Sequence, residues 1–382
     1  MNRFAARVLQ ASLLALGITG ASAQSLPEKQ TVVTAPPAGP TRAYVSDIAI
    51  QHIVDGRLHV IDVDAARYVG QIPLAYAGQA VLSPDRKRIY VSTTYYPRLW
   101  RGTRADVIDI WDAETLSFTG EIPIPERRAQ ALNYKGLISV SPDSHWLYVQ
   151  NATPASSISI VDLRERRLAS EVANSGCWLA LPVPSAPNRF ATLCGDGTME
   201  TITLDERGAL ASRTRSERFF DADVDPIFVH AETIGDRFFF VSYLGKVHEV
   251  DLSAEKPRAV GSWSMIGAAD AKKNWRPGGY QLFAIHAKSG RMYVLMHPDG
   301  QEGSHKNPAA EIWAFDLATK KRIARIPGNN AMSVTAIQGG APRLVALDAM
   351  TMGLVLIDAG DKPRVVQRMD GVAEAGTLIE MQ

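Results

Sequence analysis

Residues 138–162 read ISVSPDSHWLYVQNATPASSISIVD, and this stretch decides the fold. The runs Leu147-Tyr148-Val149 and Ile158-Ser159-Ile160-Val161 are short, apolar and rich in β-branched and aromatic residues. Such runs fit a pleated, half-buried surface better than a helix. Ser141-Pro142-Asp143 ahead of them is a turn, because proline presets φ for the second position of a type I turn and aspartate bonds the local backbone. The second run ends on Asp162. Both signatures recur. Ser83-Pro84-Asp85 precedes Ile89-Tyr90-Val91, and aspartate-terminated runs end at Asp62, Asp109, Asp162, Asp205, Asp251, Asp316 and Asp358. Their spacings are 47, 53, 43, 46, 65 and 42 residues, most of them near the 40–45 or so that four strands with tight turns require, with the long segments Trp263 to Gly279 and Met296 to Pro308 accounting for the 65.

The repeat predicts an all-β fold: a seven-bladed β-propeller over residues 42–382 with an N-terminal extended arm. Each unit reads as strand, Ser-Pro-Asp-type turn, strand, loop, strand ending in aspartate, turn, strand. The aspartates are scaffold that accepts hydrogen bonds from turn backbone. Closing the ring requires strands from both termini in one blade, and Arg42 to Ile50 with Thr377 to Ile379 are the natural pieces.

Ahead of the repeat, Arg3 and Arg7 precede the apolar stretch Val8 to Gly20, and Ala21-Ser22-Ala23 follows with small residues in cleavage-site spacing. Residues 1–23 therefore read as a secretory signal peptide. Residues 24–41, with Pro27, Pro36, Pro37 and Pro40, read as an extended arm. The mature chain is expected in the periplasm. Lysine and arginine number 41 against 40 acids, and 46% of residues are hydrophobic, which excludes disorder and leaves no field to recruit nucleic acid or anionic lipid. The only cysteines, Cys177 and Cys194, are best read in an oxidising compartment as one disulfide; a metal pair or a reactive thiol is the alternative.

Antiparallel order puts the long connections of every unit at one end. These are Thr93 to Arg104, Glu126 to Gly136, Trp263 to Gly279 and Met296 to Pro308. They hold Tyr95, Tyr96, Trp100, Arg101, Trp275, Arg276 and His305, residue types that supply most hot-spot energy at protein interfaces. These seven are candidate partner-interface residues, with packing between blades the competing reading for Trp100 and Trp275. Packing is the favoured reading for Trp111. No nucleophile elbow, phosphate loop, zinc-protease or dinucleotide motif is present, nor a haem-attachment Cys-x-x-Cys-His. The eight histidines show no compact metal spacing. No catalytic, cofactor-binding or metal residue is expected in this chain.

The sequence resembles the heavy subunits of the quinoprotein amine dehydrogenases, the methylamine and aromatic amine enzymes. The similarity is carried by RGTRADVIDIWDAETLSF from Arg101, by Cys177 and Cys194 followed by Gly195-Asp196-Gly197, by YLGKVHEVDLS from Tyr243, by NWRPGGYQ from Asn274 and by GSHKNPAAEIW from Gly303. The resemblance implies a periplasmic heterotetramer of two heavy and two light subunits. It places tryptophan tryptophylquinone in the light subunit, with oxidation of a primary amine to aldehyde and ammonia. Electrons then pass to a blue copper protein, azurin or amicyanin. The methylamine enzymes place a phenylalanine at the amine-channel mouth; here Asp47-Ile48-Ala49-Ile50-Gln51-His52 has none, so Ile50, Gln51 and His52 are the candidate mouth residues. That departure points to the aromatic amine type. The competing readings are a free-standing exported scaffold that binds protein, and a small-molecule enzyme working in the central channel.

Overall fold

The computed structural model describes residues 35–48, 50–130 and 133–382. The leader and most of the arm, residues 1–34, lie outside the described residues. What is described is all-β and antiparallel, with one helix of four residues, Ala268–Ala271, and a few single 3-10 turns. A seven-stranded sheet begins with Gly376–Met381 beside Arg42–Asp47, and continues through Gly56–Asp62, Arg67–Leu82, Arg88–Tyr95, Ala105–Asp112 and Phe118–Ile124. Three four-stranded sheets follow, covering Ile138–Val140 to Arg167–Ala173, Cys177–Val183 to Leu210–Arg215 and Glu232–Ile234 to Arg258–Ser264. An eight-stranded sheet spans Arg276–Pro277 to Arg364–Met369.

The two large sheets are each joined through one long strand that serves two meanders. Arg67–Leu82 pairs with Gly56–Asp62 through its first part and with Arg88–Tyr95 from Tyr76 onward. Between the parts, Ala75 and Ala77 take φ of 47° and 46°, which turns the strand. In Lys321–Ile337 the same break falls at Asn329 and Asn330, φ 51° and 52°, where asparagine tolerates the left-handed region. Gly328 precedes them because a Cβ there would lie 2.2 Å from the Ala309 carbonyl oxygen.

The terminal strands pair as the sequence led us to expect, with Ala43 opposite Met381 and Val45 opposite Ile379. The anchor aspartates also behave as expected. Backbone N–H groups donate to Asp62 from Ala65 at 3.2 Å, to Asp162 from Arg164 and Glu165 at 2.9 Å, and to Asp205 from Arg207 at 2.8 Å. Asp251, Asp316 and Asp358 accept likewise from Ser253, Thr319 and Gly360. The second anchor is a correction. Asp112, not Asp109, ends its strand and accepts from Thr115 at 2.7 Å. The run Val107-Ile108-Asp109-Ile110-Trp111-Asp112 offers two aspartates three apart, which a strand of period two sends to opposite faces.

Each apolar core lies between successive sheets or meanders. Tyr44, Leu58, Val60 and Ile72 pack on Ile89 and Val91, and Leu179 and Leu181 pack on Phe238 and Phe240. Burying each such side chain contributes about 1.5–3 kcal/mol. Trp111 is half-buried at the edge of the first of these cores, with its ring 5.5 Å from Phe118, so it is a packing residue.

Candidate interface on the long connections

The loop after Arg88–Tyr95 has a rigid stem and an apolar tip. At the stem Arg104 donates to Asp106 twice, at 2.8 and 2.6 Å. Arg128, 1% exposed, reaches in from the Glu126–Gly136 connection. Its guanidinium donates to Thr94 Oγ1 at 2.9 Å, to the Ala77 and Ala129 carbonyls at 3.1 and 3.2 Å, and to the Tyr76 carbonyl. Burial pulls its pKa down to about 10, offset in part by Asp106, so it stays charged at neutral pH. The tip carries Leu99 and Trp100, 66% and 60% exposed, between exposed Arg98 and Arg101. Tyr96 is half-buried, edge-on to Tyr76 at 5.5 Å. A large exposed indole on a braced stem has the geometry that a preorganised anchor requires.

Tyr95 is tied down at its far end. Its hydroxyl donates to Asp109 Oδ2 at 2.6 Å, and Asp109 is buried with Oδ1 lacking a hydrogen-bond partner among the described residues. Burial pushes the Asp109 carboxyl up to about 6, against the lowering effect of the Tyr95 bond, and Glu121 adds to the rise. Burial and this carboxylate also raise the phenol of Tyr95. With the folded pKa above the unfolded one, the ionised form is penalised in the fold. The penalty grows as pH rises from about 4 to about 6 and is complete above that. Asp109→Asn, which keeps an acceptor for Tyr95, is expected to stabilise the chain by about 3 kcal/mol at pH 7.5 and by only about 0.5 kcal/mol at pH 4. Denaturant unfolding at the two pH values checks this; an equal effect at both would remove the ionisation from the explanation.

Trp275 is corrected from the interface set. It is 6% exposed, its ring centroid 5.1 Å from that of Trp313, with Arg325 over it at 4.9 Å. It belongs to the core under the connection. Arg276 is half-buried; its guanidinium donates to the Trp275 carbonyl at 3.0 Å, and its side chain runs so close past Gly300 that a Cβ there would meet Cγ at 2.1 Å. Asp299 and Gly300 donate their N–H groups to Lys273 and Asn274 carbonyls at 3.0 and 2.8 Å. The two long connections are thereby locked together. His305 is exposed at their rim and its carbonyl accepts from Gly279 N–H at 3.0 Å.

Beside His305 lies a groove of about 550 Å³ that the sequence did not reveal, because five separated connections assemble it. Its walls include Tyr134, Val224, Phe228, Tyr243, Leu244 and Tyr280. Tyr134 also borders a second cavity of about 250 Å³ between the inner strands. At the edge of that cavity Lys135 donates to Glu232 Oε1 at 2.6 Å, and His230 Nε2 lies 3.1 Å from the same oxygen. Burial alone would raise Glu232, but Lys135 and then His230 hold it down at about 2.

The candidate mouth residues sit between Arg42–Asp47 and Gly56–Asp62, in the one-turn 3-10 helix Ile50–His52. Gln51 and His52 are exposed, and His52 Nε2 lies 3.4 Å from Glu374 Oε1; the side chain of Ile50 lies outside the described residues. Cys177 and Cys194 form a disulfide across paired strands, their Cα atoms 3.9 Å apart. Glu200 lies close to both sulfurs and is held by Arg213 at 2.8 Å and Arg215 at 2.7 Å. With the sulfurs bonded to each other, the metal-pair and free-thiol readings fall.

Residues 39–380 match the family described as methylamine dehydrogenase heavy chain (MADH). The chain is 26% identical over 326 residues to the methylamine dehydrogenase heavy chain of Methylobacillus flagellatus, covering 85% of this chain and 80% of the relative. It is 26% identical over 347 residues to that of Paracoccus versutus, covering 90% and 80%. Among solved structures it is similar to the β-propeller domain of Cps50 (Swd1) from Myceliophteria thermophila, with a TM-score of 0.56, 10% identity and 86% and 98% of the two chains covered. A functionally unknown protein from Desulfotomaculum acetoxidans gives 0.59 at 12% identity, covering 89% and 98%. At such identities the structural likeness speaks to fold alone.

Proposed function

Since the chain belongs to the methylamine dehydrogenase heavy chain family, we propose that it is the non-catalytic heavy subunit of a periplasmic amine dehydrogenase, assembled with a light subunit as two heavy and two light chains. The family match across residues 39–380 carries this reading. In it, the leader is removed on export. The two large sheets divide at their left-handed breaks into four-stranded blades, and the ring of seven closes through the paired terminal strands.

The light subunit would supply tryptophan tryptophylquinone as the two-electron acceptor for a primary amine. The net change is ammonium-form amine plus water to aldehyde, ammonium ion, two protons and two electrons, the electrons leaving one at a time to a blue copper protein, azurin or amicyanin. This chain's part is to bind and orient the light subunit. Its closest indole pair among the described residues, Trp275 and Trp313, is buried under Arg325, and Trp313 Nε1 donates to Glu311 at 2.7 Å, so that pair serves packing. The Trp100 tip, with Leu99, Tyr95, Tyr96 and Arg101, is the docking anchor. Gln51 and His52 flank the amine entrance with Ile50, and an aromatic amine is the substrate.

The test is purification of the native complex, with the intact mass of every chain and a visible spectrum after addition of 2-phenylethylamine or methylamine. A co-purifying small subunit whose quinone band bleaches faster with the aromatic amine is the expected result. A colourless chain that purifies alone would overturn the reading. Trp100→Ala should weaken association with the light subunit about 30-fold or more, as loss of a hot spot does, without changing the unfolding midpoint of the isolated chain. Sedimentation at graded concentrations measures it, and an unchanged dissociation constant would return Trp100 to the inert surface.

A further inference from the structure

The groove beside His305 has a composition that selects for charge as well as shape. Phe228, Tyr243 and Tyr280 present aromatic surface, with Phe228 and Tyr243 centroids 6.4 Å apart. The Tyr243 hydroxyl is committed to the Gln301 carbonyl, so that residue offers its ring and not its phenol. At the rim Asp223 and Glu302 are exposed, and neither carboxylate has an ion-pair or hydrogen-bond partner among the described residues. The one lysine in the wall, Lys306, extends its ammonium over the face of Tyr280, 4.9 Å from the centroid. The chain's own cation thus occupies the kind of seat that an aromatic face and nearby carboxylates create. A volume of about 550 Å³ lies within the range of small-molecule sites, which are mostly apolar with a few placed polar groups.

We propose that this groove is a binding site for an organic ammonium ion, with an aryl or alkyl body against Phe228 and Tyr243 and its ammonium near Tyr280, Asp223 and Glu302, in competition with Lys306. The site is separate from the entrance at Ile50–His52, and it provides the heavy chain with a place to hold amine without oxidising it. The choice of an arylalkylamine as ligand rests on the amine reading above. The readout is binding without turnover, so either can fail while the other stands.

The competition gives the test opposite signs at neighbouring positions. Binding of 2-phenylethylammonium to the full-length chain, alone and in its complex, is followed by saturation-transfer NMR and calorimetry, with 2-phenylethanol as the neutral control. The amine should bind more tightly than the alcohol. Lys306→Met should strengthen amine binding about three- to tenfold by vacating the seat, and Tyr280→Leu should weaken it by a similar factor. Tyr280→Phe, which keeps the ring, should leave it unchanged. Asp223→Asn with Glu302→Gln, both on exposed side chains, should weaken amine binding and leave the alcohol unaffected. Equal binding of amine and alcohol, or weaker amine binding after Lys306→Met, would overturn the proposal. Binding to the isolated chain that disappears in the complex would also overturn it, in favour of a groove covered by the light subunit.

Discussion

Arg128→Met is expected to destabilise the chain by about 3–5 kcal/mol, the usual cost of breaking a buried, hydrogen-bonded charge cluster. The guanidinium gathers carbonyls from Tyr76, Ala77 and Ala129 and the hydroxyl of Thr94. Methionine fills much of its volume and donates to none of them, so several acceptors lose their partner in a place water does not reach. Arg128→Lys keeps the charge but not the planar fork, and should lose an intermediate amount. Guanidinium chloride unfolding of the three chains measures the series. If lysine and methionine are equivalent, the fork geometry is not what holds the connection.

The second large effect concerns the disulfide. Replacing both Cys177 and Cys194 by alanine should cost about 3 kcal/mol, because the bridge closes a 17-residue separation and restricts the unfolded chain. The paired strands Cys177–Val183 and Ala186–Cys194 keep their backbone bonds, so the loss should fall on stability and leave the folded far-ultraviolet spectrum unchanged. Reducing the native chain with dithiothreitol should shift the unfolding midpoint to the same place. A midpoint indifferent to both treatments would mean that the unfolded chain holds these segments together without the bond.

The scaffold was more legible in the sequence than the surface. Ser-Pro-Asp turns and strand-ending aspartates are local chemistry, and in the structure Ser83 and Ser141 donate to Asp85 and Asp143 at 2.6 Å as such turns require. The slip between Asp109 and Asp112 shows the limit: both suit a strand, and only the turn bonds to Thr115 and Glu114 distinguish them. Side-chain fate in the long connections was not legible. Arg127 and Arg128 are adjacent, yet Arg127 pairs with Glu171 near the surface while Arg128 is buried. Trp100 and Trp275 both neighbour an arginine, and one is exposed while the other lies in a core. What decides each case is which neighbouring sheet the connection crosses, and sequence order alone does not carry that. The groove is the extreme case, since Tyr134, Phe228, Tyr243 and Tyr280 come from four different connections.

The pairing of Arg42–Asp47 with Gly376–Met381 constrains the order of events when the chain is made. Synthesis delivers this second partner of Arg42–Asp47 more than 300 residues later, and contacts so distant in sequence carry a large closure entropy and form late. Until then one side of Arg42–Asp47 presents unpaired N–H and C=O groups, the kind of edge that recruits other strands. A chain that ended before Gly376 would keep that edge permanently. Loss of Gly376–Met381 should therefore be as damaging as loss of an interior strand, and an affinity tag should not be exchanged for any part of it.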